Sequence, residues 1–592
     1  MTHTQSARQL TSFQPLSTWP EQQEEKHEKQ KRLWVKTEKK KNHKSMKRTA
    51  ILAVIALTIA SCCCPNQVNE EPAPTKNVIL MIPDGTSTSV LALSRWYMRY
   101  MGEKDFELNV DKHVCGLMSS ISSNSIMSCS APAMGGIVTG VPQRAGHLSV
   151  YPAPDPAQDI VEVDPSKTHQ PLATIMEANR VEKGRSAGVV VTVDILHATP
   201  AACASHTTSR GDRKAIARQM ASNGLDVAFG GGLGYMEETT REILEYNDIT
   251  LIEKDINAFR DFDGTKAWAL FEDEFLPYET DRDTATIPSL AEMTAKAIEI
   301  LSKNKNGFFL MVEGSKVDYA GHANAPHSMI TEFLAFDEAV GVALDFAKKD
   351  GNTTVIVVPD HGNSGVTGGK PTYKNYTSKG IDSVFVGMKN YKASYYKIAE
   401  LLSQSDKKDF KPIFKEWTGI DLTDKEVNDL VNTRGKIEGD YMQVANSQNF
   451  QSTISKILLS RLNISCATTT HTTEDVFLAV YHPKGHIPHG IMTNSEVNEY
   501  MCKVSGLDTT LEELSEQYYS RHDVIFDGYE PQVIKDKECP RLEVTVKGRK
   551  IVVPAWRNSV TIDGTTYKTS TPSVYIKKNN SFYVSREILD LI

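Results

Sequence analysis

Phe308-Phe-Leu-Met-Val-Glu313, followed shortly by Asp318-Tyr-Ala-Gly-His322, decides how this chain is read. The apolar run is short and unbroken, as in a strand buried on both faces, and it sets Glu313 at its C-terminal tip. One turn later Asp318 and His322 stand four residues apart. On a helical turn those side chains share a face and can grip one ion. Three ligand types within ten residues point to a metal site.

Similar runs lie outward in both directions. Asn77–Ile82, Ala187–Val193, Asp226–Phe229 and Thr354–Val358 read as buried strands, with helical periodicity over Ile287–Lys303 and Ser328–Lys349. The alternation predicts an α/β fold: a mostly parallel central sheet with helices on both faces. Sites in such sheets form beyond the carboxyl ends of strands, so Asp84, Glu313, Asp360 and His361, each at or just past a strand end, are expected to converge. A long Lys- and Tyr-rich insert over 366–465 interrupts the pattern and reads as a lid or subdomain. From about residue 540 the strands become short and alternating, with turn chemistry at Gly548, Asp563-Gly564 and Asn579-Asn580. Residues 540–592 are thus a small antiparallel β module ending in a short helix at Arg586–Ile592. With no clustered ligands or nucleophile, it reads as a packing or docking unit.

The chain of 592 residues is long enough for one large domain, expected over 76–525, plus appendages. Met46-Lys-Arg, the apolar Ala50–Leu57 and Ile59-Ala-Ser-Cys62 form a basic, apolar and small-residue series, so 46–61 reads as a signal peptide. Its end resembles a bacterial lipobox. That would place a lipid on Cys62, anchor the exported protein to a membrane, and locate it in the cell envelope, at the periplasmic face or the outer membrane. Residues 1–45 are polar and aperiodic and read as a disordered or non-native extension, with translation expected to start at Met46. Residues 62–75 read as a tether. Of 66 Lys and Arg, 12 precede Cys62, against only 5 of 74 Asp and Glu, so the mature chain carries a net charge of −15. That balance argues against nucleic acid as a partner. Cys115, Cys129, Cys203, Cys466, Cys502 and Cys539 remain, an even number that allows disulfides but selects no pairing.

Further candidates are individually weak. Ser130, in Ser128-Cys-Ser-Ala-Pro132, would begin a helix whose dipole favours an alkoxide and a bound phosphate, although a plain N-cap serine is the commoner role. Thr199 reads alone as a cap, Arg210 as a surface charge and His471 as an isolated histidine. Asp360-His361 ends a buried strand, where both are costly unless liganded or hydrogen-bonded.

Taken together, these segments resemble the metal-dependent alkaline phosphatases over about residues 75–500. The resemblance rests on Asn77-Val-Ile-Leu-Met-Ile-Pro-Asp-Gly85, the serine segment ending Thr139-Gly-Val141, and His197-Ala-Thr-Pro-Ala201 through Thr208-Ser-Arg210. It continues through Gly307–Gly314, Asp318, His322, Asp360-His361, His471 and Gly490-Ile-Met-Thr-Asn494. It implies two zinc ions and one magnesium ion. Asp318, His322 and His471 would hold one zinc. Asp84, Asp360 and His361, with Ser130, would hold the second. Asp84, Thr199 and Glu313 would hold the magnesium. It further implies that Ser130 attacks phosphorus, that Arg210 grips two phosphate oxygens, and that water then hydrolyses the phosphoserine. Small phosphate monoesters are the implied substrates, and a homodimer is the common assembly in the family.

Three positions depart from the family pattern. Cys129 replaces an aspartate that helps to hold the arginine, which predicts a looser Arg210 and offers Cys129 as a disulfide partner. His197 stands near the third ion, where members carry Asp or His, leaving that metal's identity open. Tyr319 stands where Lys or His often contacts phosphate. A phosphodiesterase or sulfatase-like enzyme is an alternative reading. A non-catalytic, envelope-binding lipoprotein is another, against which the intact ligand set argues.

Overall fold

The computed structural model describes residues 71–435 and 447–592. The extension 1–45, the signal segment 46–61, Cys62, most of the 62–75 tether and a short stretch of the insert lie outside the described residues. A ten-stranded sheet forms the centre. Its strands are β1 (Asn77–Ile82), β2 (Val114–Ser119), β3 (Ser186–Asp194), β4 (Val227–Gly231), β5 (Thr250–Glu253), β6 (Ala267–Leu270), β7 (Phe308–Glu313), β8 (Thr353–Val357), β9 (Val476–Tyr481) and β10 (Gly490–Thr493). They lie in the order β10-β2-β9-β8-β1-β7-β3-β4-β6-β5, all parallel except β9.

The continuous apolar runs are explained by burial on both faces. Along β1, Ile79 and Met81 enter one core while Val78, Leu80 and Ile82 enter the other. Helices Leu290–Leu301 and Pro326–Asp350 cover the first face, and Ser130–Thr139 and Ala198–Ala204 the second. Both expected helices form, each within three residues of its predicted ends. Missing from the sequence reading were β2, β5, β6, β9 and β10. The outer strands β5 and β10 are short and partly exposed, so neither an unbroken apolar run nor strict alternation marks them.

The insert is helical, with helices Tyr395–Ser403, Phe410–Thr418, Asp424–Arg434 and Gln448–Ser460. Ile398, Phe414, Leu430 and Ile454 join the same hydrophobic core as β1 and β7. The C-terminal module has its own core around Trp556, Leu542 and Ile551. Together with Ser520–Arg521 and Gln532–Ile534, which precede residue 540, it forms a three-stranded and a five-stranded antiparallel sheet, and it ends in a 3-10 turn at Arg586–Leu591 in place of the expected α-helix. Cys115, Cys129, Cys203, Cys466, Cys502 and Cys539 are all free thiols, so Cys129 has no disulfide partner among the described residues. No helix there is long and apolar enough to cross a membrane.

Candidate active site

The four adjacent parallel strands β8, β1, β7 and β3 end at the same sheet edge and deliver Asp360-His361, Asp84, Glu313 and His197/Thr199 in that spatial order. His471 arrives from a different direction. Because β9 runs antiparallel beside β8, its N-terminal end lies at this edge, and Thr472 and His471 pair with Gly362 and Asn363. Asp318 and His322 sit on the helix Lys316–His322 just after β7. Ser130 is the first residue of the helix Ser130–Thr139, with Pro132 in its first turn. Gly85, at φ +62°, does two things here. It takes the left-handed turn that releases Asp84, and it leaves room for Asp318, whose Oδ1 would clash with any Cβ there.

Asp84, Glu313 and Asp360 are fully buried, yet both oxygens of Asp84 and Glu313 lack hydrogen-bond donors, as do Asp360 Oδ2 and Thr199 Oγ1. Asp360 Oδ1 accepts from the amides of Gly85 and His361, at 3.2 and 3.0 Å. Burial, then the charges of Asp360, Asp318 and Glu313, push Asp84 well above the ordinary carboxylate range. Burial, then Asp360, pushes Glu313 up to about 8. Buried carboxylates left unpaired in this way are expensive unless a cation neutralises them. The donor atoms of Asp84, Asp360 and His361 lie within 4.8 Å of one another, as do those of Asp84, His197 and Glu313, and of Asp318, His361 and His471.

Hydrogen bonds fix the imidazoles. His322 Nδ1 donates to Thr469 O at 2.8 Å and His471 Nδ1 to Ser128 O at 2.9 Å. In the neutral rings both lone pairs are therefore on Nε2, and these atoms face each other at 3.2 Å, with Asp318 oxygens 3.3 and 3.6 Å away. Two facing acceptors beside a carboxylate are the donor set of a cation site. The hydrogen bond to Asp318 pushes His322 up to about 9, drawing a proton to where a cation would serve. Burial opposes ionisation of Asp318, but the His322 hydrogen bond and three nearby imidazoles outweigh it and hold the carboxyl below its usual range. His361 stacks on His471 with ring centres 3.8 Å apart, and its Nε2 lies 3.3 Å from Ser130 Oγ, 3.3 Å from Asp360 and 3.6 Å from Asp84.

Arg210 Nη2 donates to His197 Nε2 at 2.9 Å. Burial, then Arg210, pulls His197 down to about 3, so the ring is neutral. Its Nε2 accepts from Arg210, so its proton is on Nδ1, which is buried without a hydrogen-bond partner. Cys129 makes no such contact with Arg210, and His197 is the arginine's side-chain partner. Tyr319 lies 6.0 Å from the His197 ring and 5.6 Å from Phe275, its hydroxyl pushed above the ordinary range by burial, then by Asp194.

Ser130, His197, Arg210, Asp318, Tyr319, His322 and His471 open onto one cleft of about 710 Å³, whose far wall is Tyr395 and Gln448–Ser452 of the insert. Sequence reasoning missed that wall and also Asn363, which donates to Asp318 Oδ1 at 2.6 Å and holds that carboxylate in place. The only signal for Asn363 was its place two residues after His361.

Comparison with known proteins points to one family. The alkaline phosphatase family model matches residues 75–507. Alkaline phosphatase 4 of Bacillus subtilis (strain 168) is 28% identical over 456 residues, covering 74% of this chain and 90% of that protein. The crystal structure of a cold-active alkaline phosphatase from a Shewanella species aligns with a TM-score of 0.62 at 26% identity, over 72% of this chain and 99% of that one. A histidine-to-glutamate variant of TAB5 alkaline phosphatase, described with Mg bound in its M3 site, aligns at 0.51 and 25% identity, over 74% and 100% of the two chains.

Proposed function

Because the chain belongs to the alkaline phosphatase family, we propose that it hydrolyses phosphate monoesters to an alcohol and inorganic phosphate through a phosphoserine at Ser130. One observation carries this reading above the others: Ser130 Oγ stands at a helix N-terminus, 3.3 Å from His361, among buried carboxylate oxygens without donors. Asp318, His322 and His471 would hold one zinc, and Asp84, Asp360 and His361 the second. Asp84, Thr199 and Glu313 would hold a magnesium, which an all-oxygen set suits. Bound there, the ions supply charge neutralisation for the attacking and departing oxygens of an in-line displacement.

The chain's own groups do the rest. The helix dipole favours the Ser130 alkoxide over the hydroxyl. Ser130 Oγ bonds to phosphorus as the bond to the leaving alcohol breaks, and water then displaces Ser130 to give inorganic phosphate. Arg210 presents two N–H groups to non-bridging oxygens, and His197 holds its other edge. Asn363 and the carbonyls of Thr469 and Ser128 keep Asp318, His322 and His471 aimed inward. The catalytic domain is taken as 76–525, the insert 366–465 as the lid that walls the cleft, and 540–592 as a separate module. Export through 46–61, a lipid anchor on Cys62 and a homodimer complete the proposal.

Three substrates test it. The zinc- and magnesium-loaded protein should turn over 4-nitrophenyl phosphate far faster than a matching diester or sulfate ester, and chelation should abolish the activity. Elemental analysis should find both metals. Faster diester cleavage would replace the monoesterase reading with a phosphodiesterase, and turnover indifferent to chelation would remove the ions.

Tyr319 yields a narrower expectation. Its neutral hydroxyl brings no charge to the phosphate. Tyr319→Lys should tighten competitive inhibition by inorganic phosphate about tenfold, the scale of one added charge-assisted hydrogen bond. Unchanged inhibition would show that this position does not reach the phosphate.

A further inference from the structure

At the opposite edge of the sheet, where β3 and β4 begin, a second cleft of about 640 Å³ lies between the catalytic fold and the C-terminal module. Arg180, Arg185, Lys266, Lys303 and Lys568 line it, against one acid, Asp226, whose Oδ2 is turned to the Ala187 amide. These five bond only to neutral groups: Arg180 to Asn223 Oδ1 at 3.3 Å, Arg185 to Asn179 and Thr75, Lys266 to Asn247 O and Lys303 to Gly264 O. Lys568 lies over the Tyr246 ring at 5.2 Å. The Nε atoms of Arg180 and Arg185 are buried without any partner, and the Arg185 side chain is almost wholly enclosed.

In a mature chain of net charge −15, five cations gathered without an ion-pair contact outnumber the acids that act on them, Asp226, Glu182 and Asp248, and form a local field opposite to the molecule's own. Burial, then Lys266, pulls Lys568 below its ordinary value, a sign that the cations repel one another across the cleft. The cleft has the volume of a drug-sized ligand site, well beyond a bare phosphate. Its remaining wall mixes hydroxyl and amide groups, among them Ser186, Asn304, Asn558 and Ser570, with the apolar Ile249 and Ile300. No aromatic ring lines it to stack a base.

We propose that this cleft binds an anionic saccharide, a sugar carrying two or more sulfate, phosphate or carboxylate groups, held between the catalytic fold and the β module. Charge recognition falls to the arginines and lysines, and the hydroxyl and amide wall meets the sugar oxygens. The β module, without chemistry of its own, then has a role: it supplies Lys568, Asn558 and Ser570 to a composite site.

The probe is a trisulfated disaccharide, which a phosphatase does not consume, titrated calorimetrically into the metal-loaded full chain beside its unsulfated counterpart. One-to-one binding that weakens with salt, with no binding of the neutral sugar, is the expected result. Lys568→Glu, at an exposed position, should weaken it at least tenfold while 4-nitrophenyl phosphate turnover stays unchanged; Lys349→Glu, outside the cleft, should leave both alone. Absence of binding overturns the proposal. So does binding that survives Lys568→Glu, or binding lost on Ser130→Ala, which would assign it to the catalytic cleft. None of these outcomes bears on the monoesterase reading, which the turnover assays decide separately.

Discussion

Ser130→Ala lowers monoester turnover by about five orders of magnitude, the scale seen when a covalent nucleophile is deleted from a catalytic unit. The loss is expected to lie in chemistry and not in folding. Ser130 is buried, its Oγ has His361 as its side-chain partner, and an alanine at the start of the helix Ser130–Thr139 removes one atom and leaves no cavity of consequence. Zinc and magnesium content should therefore be retained, since Asp84, Asp360 and His361 persist. Acid-quenched labelling with radioactive phosphate should mark the wild type and not the variant. Arg210→Ala should cost less, about a hundredfold in kcat/KM, because it removes a grip on phosphate but not the bond-forming atom. A Ser130→Ala protein within a hundredfold of wild type would reject the serine as nucleophile, whatever its metal content.

How far the sequence reached can be judged from particular residues. Asp84, Glu313 and Asp360 were legible because each follows an unbroken apolar run, and burial on both faces writes that run plainly. Asp318 and His322 were legible from their spacing alone. His471 was not. It reaches the site only because β9 is antiparallel, and β9 is flanked by no signal that gives its direction. Only the resemblance to a family tied His471 to the others. The tautomers of His322 and His471 depend on carbonyls of Thr469 and Ser128, one of them more than 300 residues away, and no local pattern encodes such contacts. The partner of Arg210 is of the same kind. Cys129 in place of an acid suggested an arginine set loose, whereas His197 accepts from it across 13 residues. The insert over 366–465 was read as a lid or subdomain that interrupts the pattern; that its helix Gln448–Ser460 walls the cleft follows from packing of Ile454 into the main core.

Metal removal should destabilise the protein in a pH-dependent way, and the direction follows from the carboxylates. Glu313 is raised from 4.5 to about 8 and Asp84 is raised from 3.8, burial being the larger cause in each. An acid whose folded pKa exceeds its unfolded value binds more protons when folded, so its contribution is complete below pH 4.5 and is lost as pH rises towards 8. His322, raised from 6.5 to about 9, loses its contribution in the same direction. Asp318, depressed, acts oppositely only where the pH falls below the ordinary range of an aspartate, and His197 and His471, pulled down by burial, act oppositely only up to about pH 6.5. Chelated protein should therefore grow less stable between pH 5 and 9 by several kcal/mol. Loaded protein escapes this, because the ions bind the ionised ligands and hold them better as protons leave. The gap in Tm between loaded and chelated samples is expected to widen by roughly 10 °C over that range, and groups remote from the site cancel in the difference. Asp84→Asn sharpens the test. It removes one of the repelling charges, so at pH 8 the chelated variant should melt above chelated wild type even as its catalytic activity disappears. A gap that stays flat with pH, or a chelated Asp84→Asn protein that melts lower, would mean that the clustered acids are not held apart from their ordinary ionisation by one another, and that their burial needs a different explanation.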